Sequence, residues 1–164
     1  MKRKKGRVLT LLLVVFVMTL SSVTVNATTV TWPVVKKGDS GSNVTSLQYL
    51  LKSKGYNLSA DGIFGSGTKS IVKNFQASNG LVSDGIVGEQ TWLKLIVTLQ
   101  YGTKSNAVKA VQYQLKDKYG FYYLDVDGDF GTMTKDVIET FQENEKITCD
   151  GIIGTETWLH LLGR

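Results

Sequence analysis

The chain has 164 residues, enough for one ordinary domain or two small ones, with a net charge of +5, a pI near 9.2 and one cysteine, Cys149. The single cysteine excludes an intramolecular disulfide, so any fold must be held by a packed core. The excess charge is local: five of the 19 basic residues precede residue 28 and all 14 acids follow it, so the rest is neutral and the electrostatic case for a nucleic-acid binder falls away.

Lys2, Arg3, Lys4, Lys5 and Arg7 head the chain, followed by the apolar run Val8–Leu20 and a small-residue stretch ending Val25-Asn26-Ala27. This is the layout of a secretory signal peptide cut after Ala27. The apolar run is 13 residues, short of the ~20 that a spanning helix needs. No cysteine follows it to carry a lipid. The expectation is a secreted, extracellular protein with no membrane contact after cleavage, divided into a signal (1–27), an extended lead (28–37) and two repeats (38–97 and 98–164).

The lead contains Trp32-Pro33, where proline fixes an extended backbone and the indole can lie on the first repeat as a clasp. Gly38 to Asn43 is turn-rich. Behind it Val44, Leu47, Leu50 and Leu51 recur at three and four residues, the signature of an amphipathic helix that Gly55 ends. A second helix presents Ile71, Val72 and Phe75, and a short third presents Trp92, Leu95 and Ile96. The course then repeats: Val108, Val111 and Leu115 form a stripe, Gly120-Phe121 stand where Gly55-Tyr56 do, Val137, Ile138 and Phe141 follow, and Trp158, Leu161 and Leu162 close the chain. A hydrophobe-Gln pair marks each long helix, at Gln48, Gln76, Gln112 and Gln142. From Lys69 to Leu93 the copies align at a constant offset of 66, whereas earlier the offset is 64 to 65, so one or two residues are inserted near Tyr122–Leu124. The halves differ in sign: residues 34–97 carry seven lysines against four acids, residues 98–164 seven bases against ten acids. That asymmetry favours either contact between the halves or an anionic polymer for the first.

The connections share an eight-residue phrase that occurs four times, starting at Asp61, Asp84, Asp127 and Asp150. Asp-Gly is a turn dipeptide: the carboxylate accepts from backbone N–H groups just after it, and glycine takes positive φ without a steric penalty. The second glycine (Gly65, Gly88, Gly131, Gly154) stands at a helix N-cap. The threonine three residues on (Thr68, Thr91, Thr134, Thr157) stands at N3, where its hydroxyl is expected to reach back to the cap. Val87 with Trp92 and Ile153 with Trp158 have hydrophobic-staple spacing; Lys69 and Lys135 occupy that place after the first phrase of each repeat. These twelve Asp, Gly and Thr residues are expected to be structural, each cap worth ~1 kcal/mol.

Catalytic and metal readings fit poorly. Asp125, Asp127 and Asp129 open like a calcium loop, but Phe130 fills its glycine position and Asp136 replaces the twelfth-position glutamate. Glycoside hydrolysis needs one carboxyl kept protonated, and four equivalent turn acids do not offer unlike environments. His160 has no cysteine at ligand spacing. The expectation is no catalytic residue, no metal and no cofactor. Cys149 aligns with Ser83 and is expected to fill a small site beside Asp150.

The order Trp32-Pro33, Gly38, Gly41, Val44, Leu47-Gln48, Leu51, Gly55-Tyr56, Asp61-Gly62-Ile63-Phe64-Gly65, Thr68, Val72, Phe75-Gln76 resembles the peptidoglycan-binding domain 1 family. So does its continuation, Leu81, Asp84-Gly85-Ile86-Val87-Gly88, Thr91-Trp92, Leu95, and residues 102–162 resemble the family again. The resemblance implies an all-α protein of two tandem three-helix modules that bind bacterial cell wall, a module type that often accompanies wall hydrolases. Three positions depart from the pattern: the usual Gly-Pro-x-Thr is Gly65-Ser66-Gly67-Thr68, Asp129 replaces an apolar residue, and Lys146 stands where Gly80 does. A wall ligand offers amides, acetamido groups and carboxylates. The candidate contacts in the first repeat are Tyr56, Asn57, Gln76 and Asn79, with Lys54 and Lys73 for carboxylates; the alternative for Tyr56 and Gln76 is half-buried packing and helix bonding. The expected function is non-catalytic attachment to peptidoglycan, the alternatives being a targeting subunit for a hydrolase on another chain or a module that docks a partner and no longer binds wall.

Overall fold

The computed structural model describes residues 29–163, so the expected signal at 1–27 lies outside the described residues. Six helices form in the order α1 (Ser42–Ser53), α2 (Ser66–Ser78), α3 (Glu89–Leu95), α4 (Asn106–Asp117), α5 (Thr132–Glu145) and α6 (Thr155–Leu162). Among the described residues the only β pairing is four isolated antiparallel bridges, and the fold is all-α with two tandem modules.

Each module closes over the residues that the helical periodicity picks out. Val44, Leu47, Leu50, Leu51, Val72, Phe75, Trp92 and Leu95 are buried in the first, and Val108, Val111, Leu115, Val137, Ile138, Phe141, Trp158, Leu161 and Leu162 in the second. Phe64 and Phe130, the fourth residue of each module's first phrase, enter the same cores. In the second phrases Val87 and Trp92, like Ile153 and Trp158, are all enclosed.

The segment before each module is tied in by the same two devices. Val35 pairs with Val87 and Leu99 with Ile153, while the Trp92 indole donates to the Pro33 carbonyl at 2.7 Å and the Trp158 indole to Val97 at 2.8 Å. Trp32 is half-buried against the core. The lead thus does for the first module what residues 97–99 do for the second.

The modules meet along α1 and α4, which cross antiparallel. The Ser46 hydroxyl donates to the Ala110 carbonyl at 3.1 Å, and the Gln114 amide donates to the Asn43 side chain at 2.8 Å. Ser46, Ala107, Ala110 and Gln114 are fully buried there. These polar bonds come from neutral side chains, and the three ion pairs found among the described residues all lie within the second module. Opposite net charge is therefore not what joins the halves; close approach of small residues is. Asn43 also donates to the Leu162 carbonyl at the end of α6, where Lys118, the C-cap of α4, donates to Leu161, Leu162 and Gly163 at 2.9–3.0 Å. A cation on the last carbonyls of a helix satisfies its orphan acceptors and complements its dipole.

Candidate ligand-binding site

The four Asp-Gly turns are closed from inside by the four helix glutamines. Gln76 donates to the Asp84 carboxylate at 2.9 Å, the Ile86 carbonyl at 2.9 Å and the Thr91 hydroxyl at 3.2 Å, and accepts from the Gly85 N–H at 2.8 Å. Gln48, Gln112 and Gln142 repeat this set on the turns at Asp61, Asp127 and Asp150, with only the Gln48–Thr68 bond long at 3.5 Å. A planar amide carries donors and acceptor in fixed relation, so one side chain sets both edges of a turn. In every copy the aspartate also accepts from the N–H two residues on, at 2.8–2.9 Å, and the intervening glycine sits at φ between 67° and 83°.

This geometry bears on two expectations. Gln76 is 1% exposed and its amide is bonded to the turn, which matches the packing and bonding alternative for this residue, more deeply buried than expected. The threonines do not reach back to the caps: the Thr68, Thr134 and Thr157 hydroxyls accept from glutamine and donate to the carbonyls of Ile63, Asp129 and Ile152 at 3.1–3.4 Å. The caps Gly65, Gly88, Gly131 and Gly154 carry no side-chain cap bond. Each hydroxyl is drawn inward because the buried amide needs an acceptor there.

Asp61, Asp84 and Asp127 are held as carboxylates. The Ile63 N–H and then Gln48 keep Asp61 below the ordinary aspartate value; the Ile86 N–H does the same for Asp84, and the Asp129 N–H with Gln112 for Asp127. Asp129 pairs with Lys104 at 2.6 Å. His160 Nδ1 lies 3.1 Å from Glu145. Cys149 is at the surface, not filling a buried site. Its thiol lies 3.5 Å from the Glu139 carbonyl, as the Ser83 hydroxyl lies 2.8 Å from that of Lys73. Partial desolvation and the neighbouring Glu143 and Glu139 raise its pKa.

Two grooves flank the first module's turns. One of about 350 Å³ is lined by Asn57, Ser59, Asp61, Ile63, Gly67 and Ile71 among others; the second, of about 460 Å³, is lined by Val34, Gln76, Gly80, Val82, Asp84, Ile86 and Gln90 among others. Asn57 is exposed in the first groove. Asn79 caps α2 beside the second, its amide donating to the Phe75 carbonyl at 2.8 Å. Lys73 is exposed over the second turn. Lys54 caps α1 at the surface, and Tyr56 packs edge-on against Phe75 at 6.2 Å; neither lines either groove.

Lys69 is a member of this surface that sequence reasoning passed over. A Cβ built on Gly85 would meet Lys69 Cγ at 2.8 Å and Lys73 Cγ at 3.1 Å, so two lysine stems, one helical turn apart, lie across this turn. The i, i+4 spacing was the available signal. In the second module the same places are Lys135 and Glu139, joined at 2.7 Å and lying over Gly151. The second module's first groove, about 210 Å³, is lined by Asp125, Asp127 and Asp129 where the first module has Ser59, Asp61 and Ile63. The two modules share a scaffold and differ in the charge they present.

The peptidoglycan binding domain family model matches residues 40–95 and again 104–161. A Bacillus licheniformis protein named "Probable N-acetylmuramoyl-L-alanine amidase" is 31% identical over 159 residues, which is 79% of this chain and 44% of that protein. A spore cortex-lytic enzyme of Bacillus cereus is 42% identical over 77 residues, 46% of this chain and 29% of the enzyme. The chain therefore spans less than half the length of these relatives. Among solved structures, a peptidoglycan-binding protein of Clostridioides difficile in complex with glutamine hydroxamate is 46% identical across 38% of this chain and 40% of that one, with a TM-score of 0.38. With two family matches that together take in most of its length, this chain belongs to the peptidoglycan binding domain family.

Proposed function

We propose that this is an exported, non-catalytic protein that holds peptidoglycan through its helical modules, the first module supplying the contacts for anionic wall groups. The observation that carries this is the pair Lys69 and Lys73 lying over the second turn at Gly85, a turn whose Asp84 and Ile86 also line the groove beside Gly80. Asn57 offers amide bonding at the first groove, and Lys54 adds a further exposed cation. Stem-peptide carboxylates and backbone amides match that set. The non-catalytic reading is supported by the state of the turn acids: Asp61, Asp84 and Asp127 are stabilised as carboxylates, whereas a general acid for glycoside cleavage must keep its proton near neutral pH. Two modules on one chain raise apparent affinity through effective concentration when both engage.

A second reading is favoured by the names of the relatives. An amidase and a cortex-lytic enzyme carry the same kind of module, so this chain would target a hydrolase to the wall. The non-catalytic reading, which both versions share, is tested by incubating the protein with purified sacculi, pelleting, and assaying the supernatant for released sugar and peptide. Binding without release is expected; soluble fragments released by the protein alone would overturn the non-catalytic reading. The variant Lys69→Ala/Lys73→Ala should weaken sacculus binding several-fold and flatten its salt dependence. An unchanged isotherm would refute the assigned contacts.

A further inference from the structure

The second module carries a surface for which the first has no counterpart. At the insertion that lengthens its first connection, Tyr122 and Tyr123 stand 75% and 65% exposed, and Met133 on α5 is 55% exposed. Tyr123 and Met133 form one shallow depression of about 520 Å³ with Val137 at its floor and Thr132, Asp136 and Thr140 at its rim. The Tyr123 ring is braced edge-on by Phe121 at 6.2 Å. At the offset of 66 the first module has Ser66, Gly67, Ser70, Ile71 and Asn74 at the α5 positions, with no aromatic or methionine among them. An apolar patch with a polar rim marks an interaction site more strongly than scattered exposed hydrophobes do.

We infer that this depression is a glycan site, taking the neutral pyranose rings of an N-acetylated sugar strand, and that the two modules therefore divide the wall polymer between them. The inference rests on the wall-binding reading above. The electron-rich face of an aromatic ring attracts the polarised C–H bonds on one face of a sugar, and the thioether of Met133 adds a polarisable, adaptable neighbour. Hydroxyls and acetamido groups at the sugar's edge need partners at the rim, and Thr132, Thr140 and the Asp136 carboxylate supply acceptors and donors. Charge selects the ligand. The surrounding surface includes Asp125, Asp136 and a module with seven bases against ten acids, which disfavours a carboxylate-bearing stem peptide and leaves an uncharged ring unaffected.

The test uses the purified protein with two probes: glycan strands stripped of peptide by amidase digestion, and N-acetylglucosamine oligomers, with binding followed by calorimetry. The double variant Tyr122→Ala/Tyr123→Ala should lower affinity for both probes at least ~10-fold, while Tyr123→Phe, which keeps the ring, stays within ~3-fold. Met133→Glu, which places a charge in the depression, should lower glycan binding without changing the melting temperature. Intact sacculi are assayed beside the probes. If the protein binds sacculi but not stripped strands, or if Tyr122→Ala/Tyr123→Ala binds strands as the parent does, the glycan site is overturned while wall attachment stands. If it binds neither, both fail.

Discussion

Replacing Gln76 by leucine tests whether the buried amide holds the Asp84-Gly85 turn. The leucine is close in volume and keeps the helix, so the change removes the amide's four bonds and little else. The buried Gly85 N–H loses its acceptor, a loss of about 1–3 kcal/mol for an unsatisfied buried donor. The Ile86 carbonyl and Thr91 hydroxyl each lose a neutral bond, about 1 kcal/mol apiece when the group cannot turn to water. The Asp84 carboxylate faces solvent and recovers most of its loss there. The expected cost is about 3–5 kcal/mol, read as a lower denaturant midpoint with an unchanged m-value. Gln76→Glu should be worse at neutral pH, because it replaces a donor with a second carboxylate against Asp84, and should partly recover as pH falls. Sacculus binding by the fraction of Gln76→Leu that remains folded should match the parent. A cost below about 1 kcal/mol would refute the clasp. A selective loss of binding with stability intact would return Gln76 to the ligand surface.

Three further outcomes follow from backbone and charge. Lys146 is the one non-glycine residue at positive φ among the described residues, at 58°, where the first module has Gly80 at 70°; Lys146→Gly should stabilise by about 1 kcal/mol in chemical denaturation. Gly67 lies in the first turn of α2 with open space at its Cβ position, and Gly67→Ala should raise stability by about 0.5–1 kcal/mol; a loss would mean that the turn needs glycine. Asp61, Asp84 and Asp127 have folded pKa values below the ordinary 3.8. Their contribution is therefore complete above that value and lost as pH falls through the lower folded values. The melting temperature should hold between pH 7 and 5 and drop below about pH 4, and Asp61→Asn/Asp84→Asn/Asp127→Asn should flatten that acid limb.

The helices, the cores and the duplication were legible because they repeat: a 3.6-residue stripe at Val44, Leu47, Leu51 or Val108, Val111, Leu115 has few other solutions. The turns were legible as turns, since Asp-Gly has a local mechanism. What closes them was not, because a helical glutamine is ordinarily a surface residue and nothing local says that Gln48 faces inward. The clue was positional, a glutamine directly behind a core hydrophobe on all four long helices. The charge carried by Lys69 was hidden for a related reason: its meaning depends on which turn folds beneath it, a contact 16 residues away in sequence at Gly85. The α1–α4 contact left almost no trace, since Ser46 and Ala110 are small residues that suit a surface as well as an interface.

The α1–α4 contact is symmetric. Ser46 and Ala110 occupy the same place in their respective modules, and they touch each other. Asn43 meets Gln114, and the residues that mirror this pair, Ala107 and Leu50, are both buried. Like meeting like at the midpoint of two antiparallel helices is the hallmark of a two-fold axis, the arrangement adopted by dimers of identical subunits. The molecule is in this respect a dimer whose subunits have been joined into one chain. Joining them removed dependence on concentration and freed each half from having to match the other. The Lys69–Lys73 pair could then stand on one half while acids and tyrosines accumulated on its twin, a divergence that no dimer of identical subunits is able to undergo.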